Sequence, residues 1–67
     1  MRIEDAKKKL PKGWEILMDE VYELLDAKDV HNVMKEDGKL KIYFRCNSLN
    51  RSRKIFDIED KSLEIPL

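Results

Sequence analysis

From Trp14 onward the apolar residues recur every three or four positions: Trp14, Leu17, Met18, Val21, Leu24 and Leu25. That spacing predicts a helix over 14–28 with one apolar stripe. Glu15, Asp19, Glu23 and Asp26 form an acidic stripe beside it. Upstream, Ile3, Ala6 and Leu10 carry a weaker helical spacing, which Pro11 and Gly13 interrupt.

After the helix the period changes. "DVHNVMK" and "KLKIYFRC" flank Asp37-Gly38, and Asp-Gly between two apolar runs is a strong hairpin signal. Two registers fit. A two-residue loop pairs Lys35 with Leu40. A three-residue loop, Glu36-Asp37-Gly38 with Gly38 left-handed, pairs Met34 with Leu40, Asn32 with Ile42 and Val30 with Phe44. The second register is preferred, because it collects Val30, Met34, Leu40, Ile42, Phe44 and Cys46 on one face. His31, Val33, Lys35, Lys41, Tyr43 and Arg45 then face outward.

The stretch 49–65 reads two ways. As a helix it is capped by Ser48 and lines up Leu49, Ser52, Phe56 and Leu63. Its charges would oppose the helix dipole, with Arg51, Arg53 and Lys54 first and Asp57, Glu59 and Asp60 last. As strands, "RKIFDI" and "SLEI" make a second hairpin around "EDK". Either way the fold class is α+β, in a single domain over 1–67.

Composition narrows the function classes. Charged and apolar residues each make up 42% of the 67 residues, a globular balance rather than a disordered one. A core this small needs good packing, a staple or a second chain. One cysteine excludes an internal disulfide, and one histidine with one cysteine supplies too few ligands for a structural zinc site. No metal and no cofactor are expected. No apolar run approaches a membrane span, and "MRIEDAKKKL" lacks a signal-peptide core. With a free thiol, this reads as a cytoplasmic chain.

Net charge is zero, but it is arranged in blocks. Residues 1–14 carry +3, residues 15–37 carry −6, residues 38–56 carry +6 with no acid, and residues 57–67 carry −3. Such blocks either answer each other inside the fold or face partners.

Several residues together resemble a known family. Gly13-Trp14, Leu17-Met18, Lys35-Glu36, Gly38, Leu40-Lys41-Ile42-Tyr43, Ile58-Glu59, Ser62 and Ile65 are similar to a small prokaryotic and phage-encoded family with no established biochemical function. Its members read roughly GW, a helix, KEKFGxLRFY, then a helix ending A-E-x-x-S-x-x-T-C-E-x-C-G. The resemblance spans residues 13–65 and implies a helix at 49–61, which decides the C-terminal reading. The expected order is then helix, hairpin, helix, with both helices on the apolar sheet face. Two departures stand out. The turn is shorter and lacks the phenylalanine, and the cysteine pair is missing, Pro66 standing where its first member falls. Any metal role of that tail is not carried over.

No catalytic set is legible: there is no Gly-rich phosphate loop, no metal spacing and no nucleophile with a base. His31 reads as a strand-surface residue beside Tyr43, and Cys46 as a small buried hydrophobe. A non-enzymatic protein-interaction module is therefore expected. The resemblance implies a phage or mobile-element accessory that inhibits a host protein such as a defence nuclease, in the manner of an anti-CRISPR protein. Its candidate surface is His31, Val33, Lys41, Tyr43 and Arg45, since tyrosine and arginine are enriched among interface hot spots. The alternative is nucleic-acid or anion binding by the basic 39–54 segment, with Arg51, Arg53 and Lys54 at the head of a helix. A third reading is a dimerisation fragment of a larger assembly, with a second copy of the chain as its partner in a homodimer.

Overall fold

The computed structural model describes residues 1–65; the departure at Pro66 lies outside them. Among these residues are three α-helices and one antiparallel hairpin: α1 (Ile3–Lys9), α2 (Glu15–Leu24), β1 (Val30–Glu36), β2 (Lys39–Phe44) and α3 (Leu49–Lys61). The second hairpin considered for the C-terminus does not form. Leu49 to Lys61 is helical despite its charge order, because Ser48 caps it and its inner face is buried. The Ser48 hydroxyl oxygen accepts the Arg51 N–H at 3.3 Å.

Each helix follows from its sequence. α1 places Glu4 and Asp5 in its first turn and Lys7, Lys8 and Lys9 in its last, matching the dipole. Pro11 and Gly13 then force a short 3-10 turn at Lys12–Trp14. α2 buries Leu17, Met18 and Val21 and leaves Ile16, off the stripe, 64% exposed. It ends at Leu24, four residues before the end the spacing predicts. Its last turn has no basic residue, and Glu23 and Asp26 lie at the negative pole. Leu25 becomes extended and drops into the core.

The hairpin register is the main correction. Asp37 and Gly38 both take positive φ, at 54° and 78°, so the loop has two residues and Glu36 pairs with Lys39. Lys35 pairs with Leu40, Met34 with Lys41 and Val33 with Ile42. A bulge at His31 then shifts the ladder, and Val30 pairs with Phe44 as expected. The preferred register assumed unbroken alternation. With the bulge, His31 and Asn32 together oppose Tyr43, so Val30 and Val33, three apart, both point inward and are fully buried. Val33 is a core residue and not part of an outer surface.

Trp14 sits at the centre of the core with Met18, Val21, Val30, Val33, Leu40 and Ile55. α1 packs against β1, α3 against β2, and α2 against the other two helices. Of the two helices expected on the sheet, 49–61 packs on β2 as α3, while the 14–28 helix, α2, joins the same core chiefly through α1 and α3, and α1 supplies the contact with β1. The chain start is also tied down: the Met1 ammonium donates to the carbonyls of Ala27 (2.7 Å) and Val30 (2.6 Å), and the Tyr22 hydroxyl donates to the Met1 carbonyl.

α3 also closes the outer edge of β2. The N–H groups of Leu40 and Ile42 point away from β1. Ser62 Oγ accepts the first at 2.9 Å and Glu59 Oε2 accepts the second at 2.7 Å. The Ser62 hydroxyl in turn donates to the Glu59 carbonyl. Both side chains are buried. Removing either acceptor strands a buried donor, which costs about 1–3 kcal/mol. Glu59→Ala and Ser62→Ala are each expected to lower the urea unfolding free energy by that amount. Glu59→Gln keeps an acceptor and should lose less than Glu59→Ala. Wild-type stability in both alanine variants would disprove the edge closure.

Candidate functional site

β2 alternates cleanly. Leu40 and Ile42 enter the core, while Lys41 and Tyr43 stand out on the opposite face. The bulge brings exposed His31 beside them from β1. Arg45, just past the strand, is exposed, and its backbone N–H donates to the Asp29 carbonyl at 2.8 Å. Thus four of the five sequence-selected surface residues, His31, Lys41, Tyr43 and Arg45, belong to one end of the sheet. Val33 does not join them.

A groove of about 530 Å³ runs between β2 and the first half of α3, lined by His31, Lys41, Tyr43, Phe44, Ser52 and Phe56 among others. No carboxylate lines it. Phe44 and Phe56 meet edge-to-face with centroids 5.9 Å apart, and Phe56 stays 52% exposed. The Lys41 ammonium lies 5.9 Å from the Tyr43 ring centroid, in cation–π range. The groove therefore offers the Lys41 cation, the His31 imidazole and aromatic faces together, while Arg45 borders a separate hollow beyond the strand end. Cys46 lies half-buried against the core, its S–H towards the Ser48 carbonyl at 3.5 Å.

Tyr43 also borders a second groove of about 450 Å³ at the turn end, with Glu36, Asp37, Lys39, Lys41 and Leu63. There Lys39 pairs with Asp60 at 2.9 Å.

The chain matches no family model, no curated protein and no solved structure.

The three anion-binding candidates line no common pocket among those described, although Arg51 and Lys54 lie one turn apart on α3. Arg51 borders a small hollow of about 180 Å³ with Arg45, Asn47 and the carboxylate of Asp29. Lys54 lines the groove between α2 and α3 with Glu20 and Glu23. Arg53 is exposed and borders neither. Among the described residues, no ion pair joins Arg51, Arg53 or Lys54 to the acidic stripe. Lys7 pairs instead with Asp19 at 2.8 Å, and Lys61 lies 3.7 Å from the neighbouring Glu20.

Sequence reasoning missed three residues. Phe56 appeared only as part of a helical line. Glu59 and Ser62 carried no periodic signal, though their spacing is the E-x-x-S of the resembling family. Among the described residues, no cluster of His, Cys, Asp or Glu is placed to hold a metal ion, and no helix is long and apolar enough to cross a membrane.

Three groups titrate above their ordinary values. The hydrogen bond that Lys39 donates to Asp60, then the charge of Asp60, raises Lys39 above 10.5, and the hydrogen bond that Lys7 donates to Asp19 does the same for Lys7. Burial, then the charges of Asp5 and Glu4, raises Tyr22 above 10.0. In each case the fold favours the protonated form. The resulting stability is complete below the unfolded-state values and is lost as pH rises through the folded ones. Thermal melts are expected to show these contributions constant up to about pH 10 and falling above it. Asp19→Asn with Asp60→Asn should flatten that fall; an unaltered alkaline limb would show that these pairs do not set it.

Proposed function

We propose that this chain is a small non-enzymatic protein-interaction module that meets an acidic partner surface with His31, Lys41, Tyr43, Arg45 and Phe56. The observation that carries this reading is the groove beside β2, where Lys41, His31 and aromatic side chains converge without a carboxylate, with Arg45 exposed just past the strand. Such a surface suits a protein segment that mixes acidic and apolar side chains. Tyr43 and Arg45 supply the residue types that anchor interfaces, and β2 and α3 hold the groove walls on regular elements. Acidic residues beside Arg51 (Asp29) and Lys54 (Glu20, Glu23) weigh against a dedicated anion site. A reducing, cytoplasmic setting suits the free thiol of Cys46.

The finer reading rests on the resemblance of residues 13–65 to a partly phage-borne family. It makes the chain an accessory protein of a phage or mobile element that inhibits a host protein such as a defence nuclease.

The test is affinity capture from the native host, followed by calorimetry with the purified partner. Tyr43→Ala with Arg45→Ala is expected to weaken binding at least about tenfold. Raising salt should weaken it further, because exposed charges are screened. Equal binding by the double variant would show that another face is used. A salt-sensitive gel shift of single-stranded nucleic acid, lost in the same variant, would replace the protein partner with nucleic acid.

A further inference from the structure

α3 and the 3-10 turn Ser62–Glu64 that continues it carry a second apolar line outside the core. Leu49, Phe56 and Leu63 are spaced by seven residues and are 80%, 52% and 61% exposed. Seven residues is close to two helical turns, so the three form a narrow strip about 21 Å long. Ile55, Ile58, Glu59 and Ser62 are committed to the core and the β2 edge, so α3 cannot roll to bury the strip within its own chain.

The charges of the same helix point to what covers it. Arg51, Arg53 and Lys54 crowd the positive N-terminal half, and Asp57 and Asp60 lie toward the negative end, Asp60 sharing its exposed carboxylate with Lys39 at 2.9 Å. Within one molecule this order is unfavourable. Two α3 helices set antiparallel about a two-fold axis at Phe56 reverse its sign. Each basic half then faces the acidic half of the other copy, and the two dipoles oppose. In that register Leu49 lies opposite Leu63 of the second copy, Phe56 meets Phe56, and Arg53 falls within one turn of Asp60.

We propose that the outward strip Leu49–Phe56–Leu63 of α3 is the self-complementary interface of a homodimer, held in antiparallel register by Arg53 against Asp60 of the second copy. A two-fold contact must be complementary to itself, and this strip is, in both apolar spacing and charge. The interface is small and weakly charged-assisted, so association is concentration- and salt-dependent. The inference is separable from the partner-binding reading through Leu49, Arg53 and Asp60, whereas Phe56 and Leu63 border the grooves beside β2 as well.

Sedimentation velocity over about 5–500 μM chain tests it. The wild-type chain is expected to reach twice the chain mass, with a midpoint at or below about 100 μM that rises with salt. L49E with L63E should raise the dissociation constant at least about tenfold while circular dichroism and melting temperature stay unchanged, because both sites are exposed. R53E alone and D60K alone each set like charges together and should weaken self-association. An equimolar mixture of the two restores opposite charges on both sides of the axis and should dimerise again. A monomer at every concentration overturns the proposal and leaves the strip to a different partner. A dimer indifferent to L49E with L63E, or a mixture that fails to recover, overturns it equally.

Discussion

The fold depends on how the outer edge of β2 is closed. A two-stranded hairpin has two open edges and little stability alone. Among the described residues no third strand supplies the missing partners for Leu40 and Ile42. Two side chains at the C-terminal end of α3 do so instead, Glu59 Oε2 within the helix and Ser62 Oγ at its cap. Residues two apart on a strand meet residues three apart on a helix, one turn against one face of the ladder. That match fixes both the height and the rotation of α3 beside β2. Ile55 and Ile58 then fall into the core, and Leu49, Phe56 and Leu63 are left outside.

The second constraint is the bulge at His31. One extra residue changes which side of β1 faces the core. It lets Val30 and Val33 both pack under the helices and turns His31 out beside Tyr43. The aromatic and basic groove owes its composition to that shift and to α3. Phe56 approaches from the helix, Phe44 from the strand, and Lys41 and His31 frame the opening. Of the acidic side of α2, Asp19 is answered by Lys7 of α1 and the adjacent Glu20 by Lys61 at the end of α3, leaving the charge order at the start of α3 unresolved within the chain. An antiparallel second copy would resolve it.

Legibility varied with how local the cause was. The α2 stripe, the Asp37-Gly38 turn and the alternation Leu40, Lys41, Ile42, Tyr43 were readable because each depends on near neighbours. The face carrying His31, Lys41, Tyr43 and Arg45 followed from that alternation. Val33 was misplaced because a bulge leaves no mark in a pattern of apolar residues. The far end of α2 was overextended because Leu25 fits the helical stripe and is also needed in the core, and the carboxylates at the helix end favoured release. For α3, charge order argued against a helix and the Ser48 cap argued for it; burial of Ile55, Ile58, Glu59 and Ser62 outweighs a dipole term of a few tenths of a kcal/mol per charge.

By itself, then, the sequence determined an α+β chain with an amphipathic helix, a hairpin and a capped C-terminal segment, because periodicity, turn chemistry and capping act within a few residues. Only the tertiary structure decided the ladder register, the inward turn of Val33, the use of Glu59 and Ser62 as edge acceptors and the outward aspect of Phe56. Each of these joins residues distant along the chain, where close packing and the need to pair every buried N–H choose among local patterns that are equally well formed.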